Sequence, residues 1–216
     1  MIRKNIQIAK TARYFLSGKP SAAIKQVWFV CHGYGQLAEF FLQKFEALND
    51  GEHLIVAPEG LHRYYLNGFS GRVGASWMTK EERESDITDY IGFLDAVHRE
   101  VLSTLSPGVK VTALGFSQGA ATASRWVAYG NSRIDSMVLW AGLFPNDMNF
   151  ETGSNRLQKT SNFLVIGDQD EFIKLINIEE QENVLKAAHI PYQLISFSGK
   201  HEIPADVLEE VGRLEK

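Results

Sequence analysis

The chain has 216 residues, is 44% hydrophobic and 22% charged, and sets 22 Lys and Arg against 26 Asp and Glu for a formal net charge of −4. This length suggests one domain, residues 1–216, and the composition excludes disordered and fibrous classes. The acidic balance argues against broad electrostatic binding to nucleic acid, and a single cysteine, Cys31, rules out an intramolecular disulfide.

Residues 5–16 alternate loosely, with Ile6, Ile8, Ala12 and Tyr14 on one parity, and predict a half-buried antiparallel lead-in strand. After Gly18-Lys19-Pro20 comes a run over 26–31 that is apolar on both parities, the pattern of a strand covered on both faces. Leu37, Phe40, Phe41, Phe45 and Leu48 recur at helical spacing and predict one buried helix face. A second covered strand follows over 54–57. Residues 58–79 form a connection too long and too aromatic to be plain. Thr79 with Glu82 has the spacing of a capping box, opening a helix that buries Ile87, Tyr90, Ile91, Leu94, Val97 and Val101. Further covered strands are expected over 109–114, 134–140, 163–166 and 193–197. Helices are expected after Ser117, ending at a left-handed cap at Gly130-Asn131, and over 178–189 and 205–215. Repeated β-α units with right-handed crossovers give an α/β fold, mostly parallel, with helices on both faces.

No stretch reaches the ~18 apolar residues of a membrane span. Arg3 and Lys4 are not followed by an apolar run of signal-peptide length. The expected location is the cytoplasm, without integral membrane association.

In such sheets chemistry gathers at the carboxyl ends of strands. Strand 109–114 runs into Gly115-Phe116-Ser117-Gln118-Gly119, a Gly-x-Ser-x-Gly string between a strand and a helix. A turn this sharp strains the serine backbone and leaves no room for side chains two residues away. It also presents the hydroxyl beside helix N-terminal amides that favour negative charge. A serine hydroxyl is a weak nucleophile and needs a base. Of the six histidines only His189 and His201 follow Ser117, and His201 stands on a loop after the last strand, on the side where the serine emerges. His189, at a helix end, is explained as an end-cap. The acid that orients the base is sought in Gly167-Asp168-Gln169-Asp170-Glu171, where Asp170 is favoured over Asp168 because it has cleared the strand and can turn inward. Oxyanion donors are expected from the amide of Gln118 and from the loop His32-Gly33-Tyr34-Gly35-Gln36, with Tyr34 preferred and Gly35 as the fallback. His32 is assigned a structural role in that loop, and Cys31 a place in the core.

These strings resemble the α/β-hydrolase superfamily, and within it the phospholipase/carboxylesterase and acyl-protein thioesterase group. The resemblance rests on His32-Gly33-x-Gly35, Gly115-Phe116-Ser117-Gln118-Gly119-Ala120, Gly167-x-x-Asp170 and Gly199-Lys200-His201, over residues 25–205. It implies an α/β-hydrolase fold, Ser117 as nucleophile, Asp170 as acid and His201 as base. Three features depart from the group: Gln36 where thioesterases of the group often carry Asp, Trp77-Met78-Thr79 where only the tryptophan matches, and Pro58–Tyr65 in place of a proline-rich loop.

The expected reaction is cleavage of a carboxylic ester through an acyl-enzyme, with no cofactor and no metal. A thioesterase, a lysophospholipase, a peptidase and a non-catalytic ligand-binding protein are the alternatives. Tyr65, Phe69, Trp77 and Met78 are expected to line a substrate pocket. Only about 21 residues separate the strands ending near Trp140 and starting near Asn162, so no lid domain is expected. An open site of this kind suits small-molecule or acyl-bearing ester substrates.

Overall fold

The computed structural model describes residues 1–174 and 178–214. Its centre is a seven-stranded sheet in the order β1-β3-β2-β6-β7-β8-β9. The strands are β1 (Tyr14–Ser17), β2 (Gln26–Cys31), β3 (His53–Pro58), β6 (Lys110–Phe116), β7 (Ser136–Trp140), β8 (Ser161–Gly167) and β9 (Gln193–Phe197). All neighbours pair in parallel except β1, which runs antiparallel to β3 at one edge, Tyr14 facing Pro58. This is the α/β-hydrolase arrangement, mostly parallel with a short antiparallel lead-in.

The double covering is visible on β2, every residue of which is buried. Val27, Phe29 and Cys31 join one apolar layer with Tyr90, Leu94 and Trp126. Those partners lie on α2 (Arg83–Leu102) and α3 (Gln118–Tyr129). Trp28 and Val30 join the other layer with Phe41, Phe45, Leu208 and Val211, from α1 (Ala38–Leu42), the 3₁₀ segment Gln43–Leu48 and α7 (Ala205–Leu214). Each such side chain contributes about 1.5–3 kcal/mol by leaving water. A strand apolar on both parities can therefore settle only in the middle of the sheet. Between β7 and β8 the chain holds the short helix α4 (Phe150–Leu157) and no lid. The helices α5 (Glu171–Lys174) and α6 (Ile178–Ala187) lie between β8 and β9. No described helix is long and apolar enough to cross a membrane.

Several sequence expectations need correction. The lead-in strand is confined to 14–17, and Ile6 and Ile8 are 87% and 80% exposed because residues 5–13 find no strand to pair with. The capping box does not form. Glu82 takes a left-handed conformation with φ 51°, while the Thr79 hydroxyl accepts from the Glu81 amide instead. Gly130 ends α3 in an extended conformation. A glycine is needed there for space, since a Cβ would stand 2.6 Å from the Trp126 carbonyl oxygen. On α1, Phe41 is buried but Phe40 is 61% exposed, because adjacent residues of a helix point in different directions and it is Phe41 that faces the core. Residue 215 of the last expected helix lies outside the described residues.

The stretch 58–79 is not a loop throughout. It carries an antiparallel hairpin of β4 (His62–Tyr65) and β5 (Val73–Ser76), His62 facing Ser76 and Tyr65 facing Val73. Its tip contains Gly68 and Gly71, both at positive φ and both with open space around them.

Candidate active site

At the end of β6 the chain turns directly into α3, and Ser117 occupies the junction with φ 55° and ψ −117°. A non-glycine residue there carries on the order of 1–3 kcal/mol of strain, sustained only where the surroundings over-determine it. The surroundings do so here. A Cβ on Gly115 would collide with the Gly119 carbonyl, and one on Gly119 with the Cys31 carbonyl. The Ser117 amide donates to the Trp140 carbonyl at 2.9 Å. Strand, elbow and helix are thus packed backbone to backbone.

His201 and Asp170 meet at the same sheet edge, His201 Nδ1 lying 2.8 Å from Asp170 Oδ2. The Asp170 side chain is fully enclosed and that of His201 23% exposed. The other carboxylate oxygen, Oδ1, accepts from the amides of Phe172 (2.9 Å) and Ile173 (3.3 Å), so the acid is fixed before the histidine arrives. The His201 ring is held between Phe116 and Phe172, at centroid distances of 4.8 and 4.7 Å. Asp168 does different work. Its Oδ1 accepts from the Gly199 amide at 3.1 Å, and the Gln169 amide donates to the Gly199 carbonyl at 2.9 Å. These bonds clamp the two loops that carry Asp170 and His201.

The loop after β2 closes on itself and on the hairpin. The Gly33 amide donates to Gln36 Oε1 at 2.8 Å and the Gln36 amide to the Gly33 carbonyl at 3.2 Å. The Gly35 amide donates to the Ala75 carbonyl at 2.9 Å and is therefore not free for a ligand. The amides of Tyr34 and Gln118 take no acceptor among the described residues. Gly33 brings this loop to the elbow: a Cβ placed there would sit 3.4 Å from Ser117 Cβ and 3.2 Å from Gln36 Oε1.

His32 is buried under this loop. Its Nε2 accepts from the Gly60 amide at 2.9 Å, which places the ring proton on Nδ1, donated to the Gly33 carbonyl at 2.8 Å. Burial lowers its pKa, against the opposing pull of that hydrogen bond and of Glu59, and keeps the ring neutral. Cys31 is fully buried, and burial pushes its thiol far up, leaving no reactive thiolate.

Two supports have no signal in the motifs. The Gln118 side chain accepts from the Trp77 amide at 3.2 Å and donates to the Met78 carbonyl at 3.0 Å, fastening the hairpin base to the elbow. Glu59, 1% exposed, binds Arg13 at 2.7 and 3.0 Å. It also accepts from Arg63 and from the Ala38 amide, both at 3.3 Å. Burial works to raise its pKa, but hydrogen bonding and charge from Arg13, then Arg63, prevail and hold it below the usual carboxylate range. A glutamate in a strand-to-loop string shows no periodicity, so only the fold reveals its partners.

The four residues expected to line a pocket are not brought together. Trp77 is fully buried. Its ring centroid lies 5.0 Å from that of His32, and its indole donates to the His32 carbonyl at 2.9 Å. Met78 packs against the core. Phe69 is 98% exposed at the hairpin tip, and Tyr65 is exposed on β4. The cavity beside the loop, of about 530 Å³, is lined instead by residues of the loop after β2, α1 and β5, among them Gln36, Leu37, Phe40 and Val73. Among the described residues, no group of three or more His, Cys, Asp or Glu side chains is gathered as a metal site.

Comparison with known proteins agrees with this fold. The family model described as Phospholipase/Carboxylesterase matches residues 18–213. Solved structures similar to this chain include esterase PE8, with a TM-score of 0.74 at 21% identity over 95% of this chain and 98% of that one. Zea mays acyl-protein thioesterase 2 follows, with 0.73 at 19% over 95% and 98%. A Bacillus cereus carboxylesterase gives 0.68 at 16% over 94% and 92%. At these identities the structures speak to the fold. No curated protein matches the sequence.

Proposed function

The chain belongs to the phospholipase/carboxylesterase family, and from that premise we propose that residues 1–216 act as one serine esterase, cleaving carboxylic esters through an acyl-enzyme on Ser117. The observation that carries this reading is the Asp170–His201 contact of 2.8 Å at the sheet edge where the strained elbow presents Ser117.

In this mechanism His201 Nε2 takes the Ser117 proton as Oγ attacks the ester carbonyl. Asp170 accepts from Nδ1, holds the tautomer that leaves Nε2 free, and stabilises the imidazolium that forms. The amides of Tyr34 and Gln118 receive the oxyanion, each worth roughly 3–4 kcal/mol in the transition state. His201 then gives its proton to the leaving alcohol. A water enters, His201 takes one of its protons as the hydroxide attacks the acyl carbonyl, and His201 gives that proton to Ser117 Oγ as the acid is released and the free enzyme restored. The chemistry needs no group that the chain does not supply. An ester held on a small soluble molecule suits a site with no lid over it.

The test is labelling with a fluorophosphonate probe, coupled to turnover of para-nitrophenyl hexanoate. Wild type should label at one site and turn over the ester, and Ser117→Ala should do neither while keeping its thermal transition. Turnover by the variant within tenfold of wild type would refute the nucleophile. Absence of labelling in wild type would mean a non-catalytic binding protein. A parallel thioester and aminoacyl amide series sets the acyl class, and faster thioester than ester turnover would move the assignment to a thioesterase.

A further inference from the structure

Resting on the esterase reading above, we infer that the cavity beside the oxyanion loop is an acyl subsite in which Lys44 and Arg72 select chains ending in an anion, a carboxylate or a phosphate.

The cavity begins where the chemistry ends. Gln36, which lines it, lies against Gly33, and Gly33 in turn lies against Ser117. The Phe41 ring on its wall is 6.0 Å from the ring of Phe116, the residue before the nucleophile. His201 must reach the leaving oxygen, so the alcohol departs past His201 and Phe172. The acyl chain is left the side of the oxyanion loop. Its volume, about 530 Å³, is that of a small-ligand site.

The lining has two parts. Leu37, Phe40 and Val73 supply an apolar stretch suited to methylene groups, and this accounts for a phenylalanine on α1 that is 61% exposed. The charged members of the lining are Lys44 and Arg72 alone, with no carboxylate among them. Neither makes an ion pair among the described residues, whereas Arg13, Arg63, Arg83, Arg125, Arg133 and Lys25 all do. Gln36 is neutral, and its Oε1 is turned to the Gly33 amide, so it adds no negative charge at the cavity's inner end. In a chain of net charge −4, two unpaired cations on one apolar cavity form a local field of the opposite sign. The guanidinium offers paired donors matched to carboxylate or phosphate, and the ammonium adds a point charge.

The experiment compares para-nitrophenyl hexanoate, para-nitrophenyl hydrogen adipate and para-nitrophenyl omega-phosphonohexanoate, esters of similar reach with a neutral, carboxylate or phosphonate end. Exposed charges act weakly one by one. Two together should raise wild-type kcat/KM for an anionic ester about tenfold over the neutral one at low salt, and the ratio should shrink as salt screens it. The Lys44→Gln, Arg72→Gln double variant should bring the ratio to about one, and the charge-preserving pair Lys44→Arg, Arg72→Lys should retain it. The two anionic probes separate carboxylate from phosphate recognition by their relative kcat/KM. A wild-type ratio of one or less, or a ratio unmoved in the double variant, overturns the subsite while leaving the esterase intact. Loss of fluorophosphonate labelling and of all three turnovers in wild type would instead remove the esterase reading, and the subsite with it.

Discussion

Asp95 and Asp170 are both buried aspartates, and their partners divide them. Asp95, on α2, accepts from the Trp126 indole (2.9 Å), the Asn131 amide (2.8 Å) and side chain (3.2 Å), and the Ser132 amide (3.1 Å) and hydroxyl (2.7 Å). All of its partners are neutral donors that fasten the end of α3 to α2. Asp170 accepts two backbone amides and gives its remaining oxygen to a histidine that is partly open to solvent. The same carboxylate is a rivet when every acceptor site is filled by fixed donors. It is a positioning group when one site is left for a ring that can change its protonation.

The comparison can be broken by exchanging each carboxylate. Asp170→Asn should lower kcat/KM by roughly a thousandfold to ten-thousandfold, since an amide does not hold the His201 tautomer. Its thermal transition should stay within about 2 °C, because Asn still caps the following turn. A steady-state assay and a melt on the same sample decide this, and Asp168→Asn should cost far less activity. Asp95→Ala reverses the pattern: it leaves five donors facing a void and should cost about 2–4 kcal/mol by denaturant unfolding, with kcat within about twofold of wild type.

The acid side sharpens the contrast. Burial tends to raise the Asp95 pKa, yet the bonds from Ser132, Asn131 and Trp126 outweigh it and hold it below the ordinary value. Its stabilisation is therefore fully present above the unfolded pKa, near 3.9, and is lost as pH falls through the lower folded value. An Asp95→Asn protein should show a flatter fall in melting temperature than wild type below about pH 4.

Smaller effects belong to the supports. Glu59→Gln should cost about 1–3 kcal/mol, because a buried neutral amide cannot match Arg13, Arg63 and the Ala38 amide together. Phe172→Ala removes one of two rings that hold His201, and should change kcat/KM by only about threefold, since Phe172 is 64% exposed. A loss a hundredfold or larger would mean that the ring positions substrate directly.

What was legible in the chain follows from how many constraints each residue carries. Val27–Cys31 declares a central strand because both faces must be apolar, and Gly115 and Gly119 declare an elbow because backbone contacts on both sides forbid a Cβ. His201 and Asp170 could be placed at one sheet edge because parallel strands deliver their loops there. The hairpin was hidden because His62–Tyr65 is four residues long and half polar, with no apolar face to set a period. Thr79 and Glu82 matched a local spacing, but the chain spent Thr79 on a turn before the helix began. Trp77 invited a pocket assignment because aromatic residues near a site can serve either a wall or a core. Its full burial and its indole bond to the His32 carbonyl separate the two.

The hairpin combines two opposite properties. At its base it is bolted to the Ser117 elbow and to the loop after β2, through Gln118 to Trp77 and Met78 and through Gly35 and Gln36 to Ala75. At its tip Gly68, Phe69 and Gly71 touch little or nothing. It is a cassette with a rigid socket. Residues 67–71 can be lengthened, swapped or tagged without disturbing the contacts of the base, so a reporter or a substrate-gripping segment grafted there would sit on a rigid mount joined to the Ser117 elbow.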